Sequence, residues 1–402
     1  MAHRRVRFGV NYVPSKRWWY SWLDWDSHSI AEDLAAIAAL GMDHIRIHCL
    51  WPIFQPNPTY VSVTALAHLE DLLNLAQAVG LEVVVAVLDG WLSGFAFRPA
   101  WQKGRNMFTD AEMIDAERRL FAALARRIGS HPGFLGFDLG NELGVLQQIW
   151  EPVTQEEADV WLAQMMDFCE EIAPGKFHVN GVDHVHWYRN VGFSRRALAT
   201  LGHATSLHTW ILFTGTLGRY GIEGTGTRHL AEYSIELAKA YHQQLDRPVW
   251  VQEFGVSPEW LPEADIPDFA QETIENALTC DHLWGLTWWC SHDIRREFTG
   301  FDVLEYGLGL LDVDNRPKPV GERLASLISR WREDMPRPCT RSTALVWPEH
   351  IFRDAMALWR YIDAFMEMIE DGVRPAIVLE DRAQDAAYLA ARGITSLERL
   401  DG

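Results

Sequence analysis

The stretch HPGFLGFDLGNELG, residues 131–144, is the part of the sequence that most directly indicates the fold. Most of its residues are apolar and predict a buried strand, yet the run leads directly into Asn141 and Glu142. In a parallel barrel, the carboxyl end of a strand carries side chains from a rigid scaffold into an open pocket. A barrel would therefore explain why polar residues close this strand.

The rest of the chain supports this interpretation, because short apolar runs alternate with amphipathic helical stretches. Eight runs predict strands, at residues 6–13, 42–49, 81–91, 134–142, 176–183, 204–210, 247–256 and 282–293. Eight strand–helix units predict an α/β fold of the (β/α)8 TIM-barrel type. A dinucleotide-binding sheet would need G-x-G-x-x-G after its first strand, and the sequence there, FGVNYVPS, lacks it.

The barrel pattern ends near a segment rich in proline and arginine, SRWREDMPRPCTRS (329–342). We therefore predict a catalytic barrel over residues 1–335 and a small C-terminal α/β extension over residues 336–402. We expect the extension to pack on the barrel or on a neighbouring subunit.

Composition excludes several classes of function. The chain has 36 Lys and Arg against 55 Asp and Glu, a formal charge of −19, which disfavours nucleic acid and anionic membranes as partners. No run approaches the length of a membrane span and the first residues lack a secretory signal, so we predict a cytoplasmic protein. The five cysteines are scattered, which predicts reduced, buried thiols.

Candidate ligand-binding residues are aromatic rather than metal-ligating. The chain has 19 tryptophans, many in predicted loops, and tryptophan faces suit the apolar faces of sugar rings. His184 and His186 form the tightest histidine pair but lack a third ligand at a suitable spacing, so no metal and no cofactor are expected.

Two glutamates carry the predicted chemistry. Glu142 ends the fourth predicted strand, and Glu253 ends the seventh, where Val249 and Val251 are expected to face inward with it. Hydrolysis of a glycosidic bond requires two such carboxylates: one protonates the leaving oxygen, and the other attacks the anomeric carbon or activates water. Mutual repulsion and different burial would keep one of them protonated.

The motifs at three of the predicted strand ends resemble those of a known family. LGNE at the fourth strand, VQEFG at the seventh and GLTWWC at the eighth are similar to motifs of glycoside hydrolase clan A, most specifically family 5, over about residues 6–330. The resemblance implies a retaining double displacement with Glu142 as acid/base and Glu253 as nucleophile. By the same resemblance, Arg46 orients Glu253 and lowers its pKa, Asn141 binds the substrate 2-hydroxyl, and Trp289 floors the sugar pocket.

The sixth strand matches the family only in part. His208 corresponds to the family's histidine, but Trp210 stands where the family has a tyrosine, and Leu143 replaces a common proline. An indole can donate a hydrogen bond but cannot act as an acid. Further candidates for binding hydroxyl groups lie at other strand ends: Asn11, Tyr12, His48, Asp89, Trp91 and Asp183.

Within family 5, RFGVNYVPS (7–15), WWYSWLDWD (18–26) and GMDHIRIHCLWPIFQPN (41–57) most resemble the intracellular β-mannosidases of subfamily 18. This implies an exo-acting enzyme that releases β-mannose from short oligosaccharides such as mannosyl-β-1,4-N-acetylglucosamine, and a homo-oligomer, with a trimer favoured. The alternatives are a β-glucosidase or β-galactosidase, an endo-acting mannanase, or a sugar-binding barrel without catalysis.

Overall fold

The computed structural model describes residues 5–400, and a barrel of eight parallel strands forms its centre. The strands are β1 (Arg7–Asn11), β2 (His44–Leu50), β3 (Glu82–Asp89), β4 (Phe134–Asn141), β5 (Val179–Gly181), β6 (Thr205–His208), β7 (Val249–Phe254) and β8 (Leu283–Trp289). Their order is β5-β4-β3-β2-β1-β8-β7-β6, and the amide of His203 donates to the carbonyl of His178 at 2.8 Å between the two remaining edges. The predicted TIM barrel is confirmed.

Helices cover the barrel. The main ones are α1 (Ser27–Ala39), α2 (Val63–Ala78), α3 (Ala111–Ile128), α4 (Gln155–Ile172), α5 (Arg195–Leu198), α6 (Leu230–Ala240), α7 (Ile266–Ala277) and α8 (Pro319–Glu333). Capping side chains fix several of their starts: Asp26, Ser62 and Thr154 each accept a hydrogen bond from a backbone amide in the first turn of α1, α2 and α4.

Short elements occupy the loops. Short helical segments lie at Trp18–Trp22, Trp51–Phe54, Ala100–Gln102, Leu143–Ile149, Val185–Tyr188, Thr216–Tyr220, Thr225–Arg228, Val303–Gly307, Glu349–Arg353 and Glu380–Arg382. A two-residue hairpin, Trp91–Leu92 with Phe95–Ala96, follows β3. Within residues 5–400, the model has no helix that is both long and apolar enough to cross a bilayer.

The interior of the barrel corrects one prediction about β7. Across the barrel, the Trp250 ring lies 5.7 Å from that of His44, and Gln252 hydrogen-bonds Asp138. The side chains of Trp250 and Gln252 therefore face inward, so the predicted inward-facing alternation of Val249 and Val251 with Glu253 is wrong. A register shift in the pairing of β7 with both of its neighbours lets Glu253 reach the pocket although Gln252 also points inward.

The C-terminal part forms a second, three-stranded parallel sheet. Its strands are β9 (Thr343–Trp347), β10 (Ala376–Leu379) and β11 (Ser396–Glu398), in the order β10-β9-β11, with helices α9 (Ala355–Glu370) and α10 (Ala386–Ala391). The predicted small α/β extension is therefore confirmed. The boundary at residue 335 and the trimer stay predictions.

Buried ion pairs tie this extension to α6. Glu232 and Glu236 are fully buried on the helix, and each binds an arginine from the C-terminal part: Arg341 lies 2.7 Å from Glu232, and Arg392 lies 3.2 Å from Glu236. Lys239, one turn along, lies 2.7 Å from Glu236. Burial alone would raise the pKa of Glu236, but Lys239, Arg341 and Arg392 bring it down to about 2.

We expect Glu236→Gln to destabilise the protein. A folded-state pKa of about 2 against an ordinary value of 4.5 corresponds to a stabilisation of roughly 3 kcal/mol at neutral pH. Because the pKa is lowered, this contribution is complete above about pH 5 and disappears as the pH falls towards 2. Urea unfolding at pH 7 and pH 3 should show a large and then a much smaller difference from the wild type. The exposed control Glu367→Gln should change stability by less than about 0.5 kcal/mol, and an equal loss in both variants would contradict the argument.

Candidate active site

Arg46, in the middle of β2, organises the site. It is completely buried, and its guanidinium donates to four side chains from three other strands. Nε donates to Asp138 at 2.8 Å, Nη1 donates to Asn11 at 3.0 Å and to Glu253 at 2.7 Å, and Nη2 donates to Asn141 at 3.0 Å. A buried guanidinium requires partners of this kind, so its position fixes these four side chains relative to one another.

Glu253 is the carboxylate held by donors. Its Oε1 accepts from Arg46, and its Oε2 accepts from the indole N–H of Trp210 at 3.2 Å. Trp210 thus supplies a hydrogen-bond donor where the family has a tyrosine. Burial raises the pKa of Glu253 above its ordinary value, while the Arg46 guanidinium and the Trp210 N–H act to lower it. Arg46 therefore acts on the pKa of Glu253 in the predicted direction, although the larger effect of burial leaves that pKa above its ordinary value.

Glu142 lies directly after β4 in a left-handed backbone conformation, with φ of 47°. Such a conformation is costly for a residue with a side chain and is commonly retained at functional sites. The amide of Glu142 donates to the carbonyl of Gly181 at 2.6 Å. Its side chain is 19% exposed and has no arginine or lysine partner among residues 5–400. Burial raises its pKa to about 8, the Asp183 carboxylate adds to the rise, and Arg46 and Trp91 oppose it.

The two glutamates meet at His208. The Nδ1 atom of His208 lies 3.2 Å from Oε1 of Glu142 and 3.3 Å from Oε2 of Glu253. Carboxyl oxygens of the two glutamates lie within 4.8 Å of each other. The structure therefore brings together the two carboxyl groups that the sequence predicted at the same end of the barrel. Glu253 accepts hydrogen bonds from Arg46 and Trp210, whereas Glu142 has no such cationic donor.

A pocket opens above these groups at the carboxyl ends of the strands. Six of the predicted site residues line it: Trp91, Asn141, Glu142, Trp210, Glu253 and Trp289. The loops after β3, β6 and β8 add Ser93, Gly94, Phe213, Asp302, Leu304, Glu305 and Leu308. Burial raises the pKa of Glu305 to about 7, and the carboxylates of Glu142 and Glu253 add to this rise.

Three predicted hydroxyl-binding residues lie behind the pocket wall. Asn11 accepts from Arg46, and Asp89 accepts the backbone N–H of Asn141 at 2.8 Å. His48 lies 3.0 Å from Asp89, and its ring packs edge-on against Trp289 at a centroid distance of 5.3 Å. All three are fully buried, so in this structure they support pocket residues. Their predicted contact with substrate stays a prediction.

Two central residues were missed by the sequence interpretation. Asp138 and Gln252 are fully buried and hydrogen-bond each other at 3.0 Å inside the barrel. Asp138 lies four residues before Glu142, so the alternation of side chains along β4 could have indicated it. Gln252 carried no such signal, because the register shift in β7 breaks the alternation there.

Comparison with known proteins decides the family. The family model described as Cellulase (glycosyl hydrolase family 5) matches residues 7–290. The chain belongs to glycoside hydrolase family 5. A search of curated proteins found no match.

Solved structures of subfamily 18 members, designated GH5_18, match nearly the whole chain. A GH5_18 protein from Streptomyces cattleya in complex with GlcNAc is 41% identical, with 99% of each chain covered and a TM-score of 0.95. A variant of GH5_18 from the same organism in complex with Manβ1-4GlcNAc is 40% identical, with 98% of each chain covered and a TM-score of 0.94. GH5_18 from Bifidobacterium longum subsp. infantis is 33% identical over 99% of this chain and 97% of that chain, with a TM-score of 0.93. The predicted resemblance to subfamily 18 is confirmed.

We expect Arg46→Met to lower stability by roughly 3–5 kcal/mol, because it leaves Asp138 and Glu253 buried without their cation. Urea unfolding at pH 7 measures the loss. Arg316→Met is the matched control: this arginine is exposed and lies 3.8 Å from two aspartates, so its loss should cost less than about 1 kcal/mol. Similar stability of the two variants would show that the buried cation does not organise the site.

Proposed function

We propose that this family 5 glycoside hydrolase is a retaining, exo-acting β-mannosidase that releases terminal β-mannose from short oligosaccharides. The observation that carries the proposal is the pair Glu142 and Glu253, whose carboxyl oxygens lie within 4.8 Å of each other at the base of a tryptophan-lined pocket. The sugar is suggested by the GH5_18 relatives from Streptomyces cattleya and Bifidobacterium longum subsp. longum, which were crystallised with Manβ1-4GlcNAc.

The separation of the carboxyl groups supports retention of configuration. Retaining glycosidases place the two groups about 5 Å apart, whereas inverting enzymes leave room for a water at about 6.5 Å or more. In the first step, the proton of Glu142 passes to the glycosidic oxygen while Glu253 attacks the anomeric carbon and the aglycone leaves. In the second step, Glu142 takes a proton from water, whose oxygen attacks the anomeric carbon and releases Glu253.

The electrostatics of the site support this division of roles. Glu142, with a pKa of about 8, keeps its proton at neutral pH and can act as the acid. Glu253 receives hydrogen bonds from Arg46 and Trp210, which favour its ionised, nucleophilic form. Trp289 offers an aromatic face to the sugar ring at the floor of the pocket.

Aromatic contacts among three loops support exo action. Phe301, from the loop after β8, packs against Phe95 of the hairpin after β3 at a centroid distance of 4.8 Å and against Trp18 at 5.1 Å. These contacts join the loops that carry Ser93, Asp302 and Glu305 into the pocket wall. A cleft closed in this way takes a chain end rather than the middle of a polymer.

The first experiment is the initial rate on 4-nitrophenyl β-mannoside beside the β-glucoside and β-galactoside. We expect the mannoside to be cleaved much faster than the other two, with β-mannose as the first product by proton NMR. Glu253→Gln should lose at least about 10³-fold in kcat, because it removes the nucleophile. The exposed control Glu367→Gln should match the wild type. Equal rates on the three sugars, or release of α-mannose, would reject this function.

Exo action predicts a defined product order from a longer substrate. With β-1,4-mannotetraose labelled at its reducing end, the enzyme should release unlabelled mannose and labelled mannotriose first. Chromatography at low conversion distinguishes this from endo cleavage. Labelled mannobiose as the main early product would identify an endo-acting mannanase instead.

A further inference from the structure

Gln252 is a buried polar side chain that the reaction above does not use. It is fully buried at the residue before Glu253, and its side chain bridges two groups of the site. Its Nε2 donates to Oδ2 of Asp138 at 3.0 Å, and its Oε1 lies 3.0 Å from Nε2 of His208. A chain of hydrogen bonds therefore runs from Arg46, which also donates to Oδ2 of Asp138, to His208.

The donor and acceptor roles in this chain follow from its first member. Burial raises the pKa of Asp138 to about 6 although Arg46 opposes the rise, so at neutral pH Asp138 is mainly a carboxylate, which can only accept hydrogen bonds. The amide nitrogen of Gln252 must therefore face Asp138, and its carbonyl oxygen must face His208. Because that oxygen can only accept, the Nε2 atom of His208 must carry a proton.

The other ring nitrogen of His208 must then accept. Burial lowers the pKa of His208, so the ring is neutral at pH 7, and Nδ1 presents a lone pair. That lone pair faces Oε1 of Glu142 at 3.2 Å and Oε2 of Glu253 at 3.3 Å. Oε2 of Glu253 already accepts from Trp210, so the O–H of a protonated Glu142 is the donor that Nδ1 needs.

We propose that Gln252 is a positioning residue that holds the proton of His208 on Nε2, so that Nδ1 keeps the acid proton on Glu142. This inference rests on the proposed roles of the two glutamates. Once Glu142 has given its proton to the leaving oxygen, its carboxylate faces a lone pair. The same geometry then favours the return of a proton from the attacking water in the second step.

Other charged groups surround both residues. Those that act on Glu142 lie on four sides: Asp183 after β5, Arg46 on β2, Glu253 on β7 and Glu305 after β8. Those that interact with His208 are Glu253, Arg46, Asp183, Asp138, His48 and His184. None of these is changed by a substitution at Gln252, so a shift on substitution reports the loss of the bridge.

The test is Gln252→Met, which keeps the length of the side chain but replaces the carbonyl oxygen with a thioether sulfur, at best a weak acceptor for Nε2. The proton of His208 should move to Nδ1 and donate to the carboxylates, which stabilises ionised Glu142. We expect the basic limb of the kcat/KM profile to move by about one unit to lower pH. The rate on phenyl β-mannoside, which needs the acid, should fall several-fold more than the rate on 2,4-dinitrophenyl β-mannoside. NMR of 15N-labelled histidine should show the tautomer change directly.

Two further variants make the result decisive. Gln55→Met removes an equally buried glutamine that bonds Trp51 and Ala116, and it should leave the basic limb in place. Gln252→Glu, kept protonated beside Asp138, can still donate to Asp138 and accept from His208, so its limb should shift less than that of Gln252→Met.

The ratio of the rates on the two substrates, measured at one pH, does not depend on how much protein is folded, so partial unfolding cannot imitate that part of the result. An unmoved limb and an unchanged tautomer in Gln252→Met would overturn the proposal. So would a shift in Gln55→Met of the same size. The proposed function is tested separately, because it depends on the mannoside rate and on Glu253→Gln.

Discussion

The burial of one cation, the guanidinium of Arg46, is the constraint on which the site depends. A charge with no access to water is stable only if hydrogen-bonding partners replace its hydration. The partners come from β1, β4 and β7, so the guanidinium sets the relative positions of strands far apart in sequence. The same contacts orient Asn141 at the pocket and Glu253 beneath it. The same hydrogen bonds therefore hold the strands together and position the residues of the site.

The guanidinium is also placed asymmetrically. It contacts Glu253 directly but does not contact Glu142, which has neither a lysine nor an arginine partner among the described residues. Two carboxyl groups so close together repel each other when both are ionised. The difference in their hydrogen-bonding partners therefore decides which of the two is protonated more easily. The left-handed backbone at Glu142 adds a local cost that the barrel must offset. The strained backbone at Glu142 and the buried charge of Glu253 both cost stability, and the hydrogen bonds from Arg46 and Trp210 offset part of the second cost.

Sequence periodicity predicted the eight strands and the two glutamates, because parallel barrel strands are short apolar runs whose ends carry the pocket residues. It failed where the backbone departs from regular alternation. The register shift in β7 brings Gln252 and Glu253 both to the interior, which no period of two describes. It also failed for groups whose role depends on distant partners: Asp138 matters through Arg46, and Glu305 enters the pocket on a loop whose path the sequence does not specify. The net rise in the pKa of Glu253 could not be predicted for the same reason, since desolvation is a property of the whole fold.

The departure from the family pattern at Trp210 fits this electrostatic arrangement. A tyrosine hydroxyl can donate, accept and ionise, so it could share a proton with the carboxyl group beside it. An indole N–H can only donate, and here it donates to Oε2 of Glu253. With Arg46 on one oxygen and Trp210 on the other, donors on both sides of Glu253 oppose the rise in its pKa that burial causes. Under the proposed roles of the two glutamates, these donors favour the ionised form of Glu253 and leave the proton on Glu142, whose O–H can donate to the lone pair of His208.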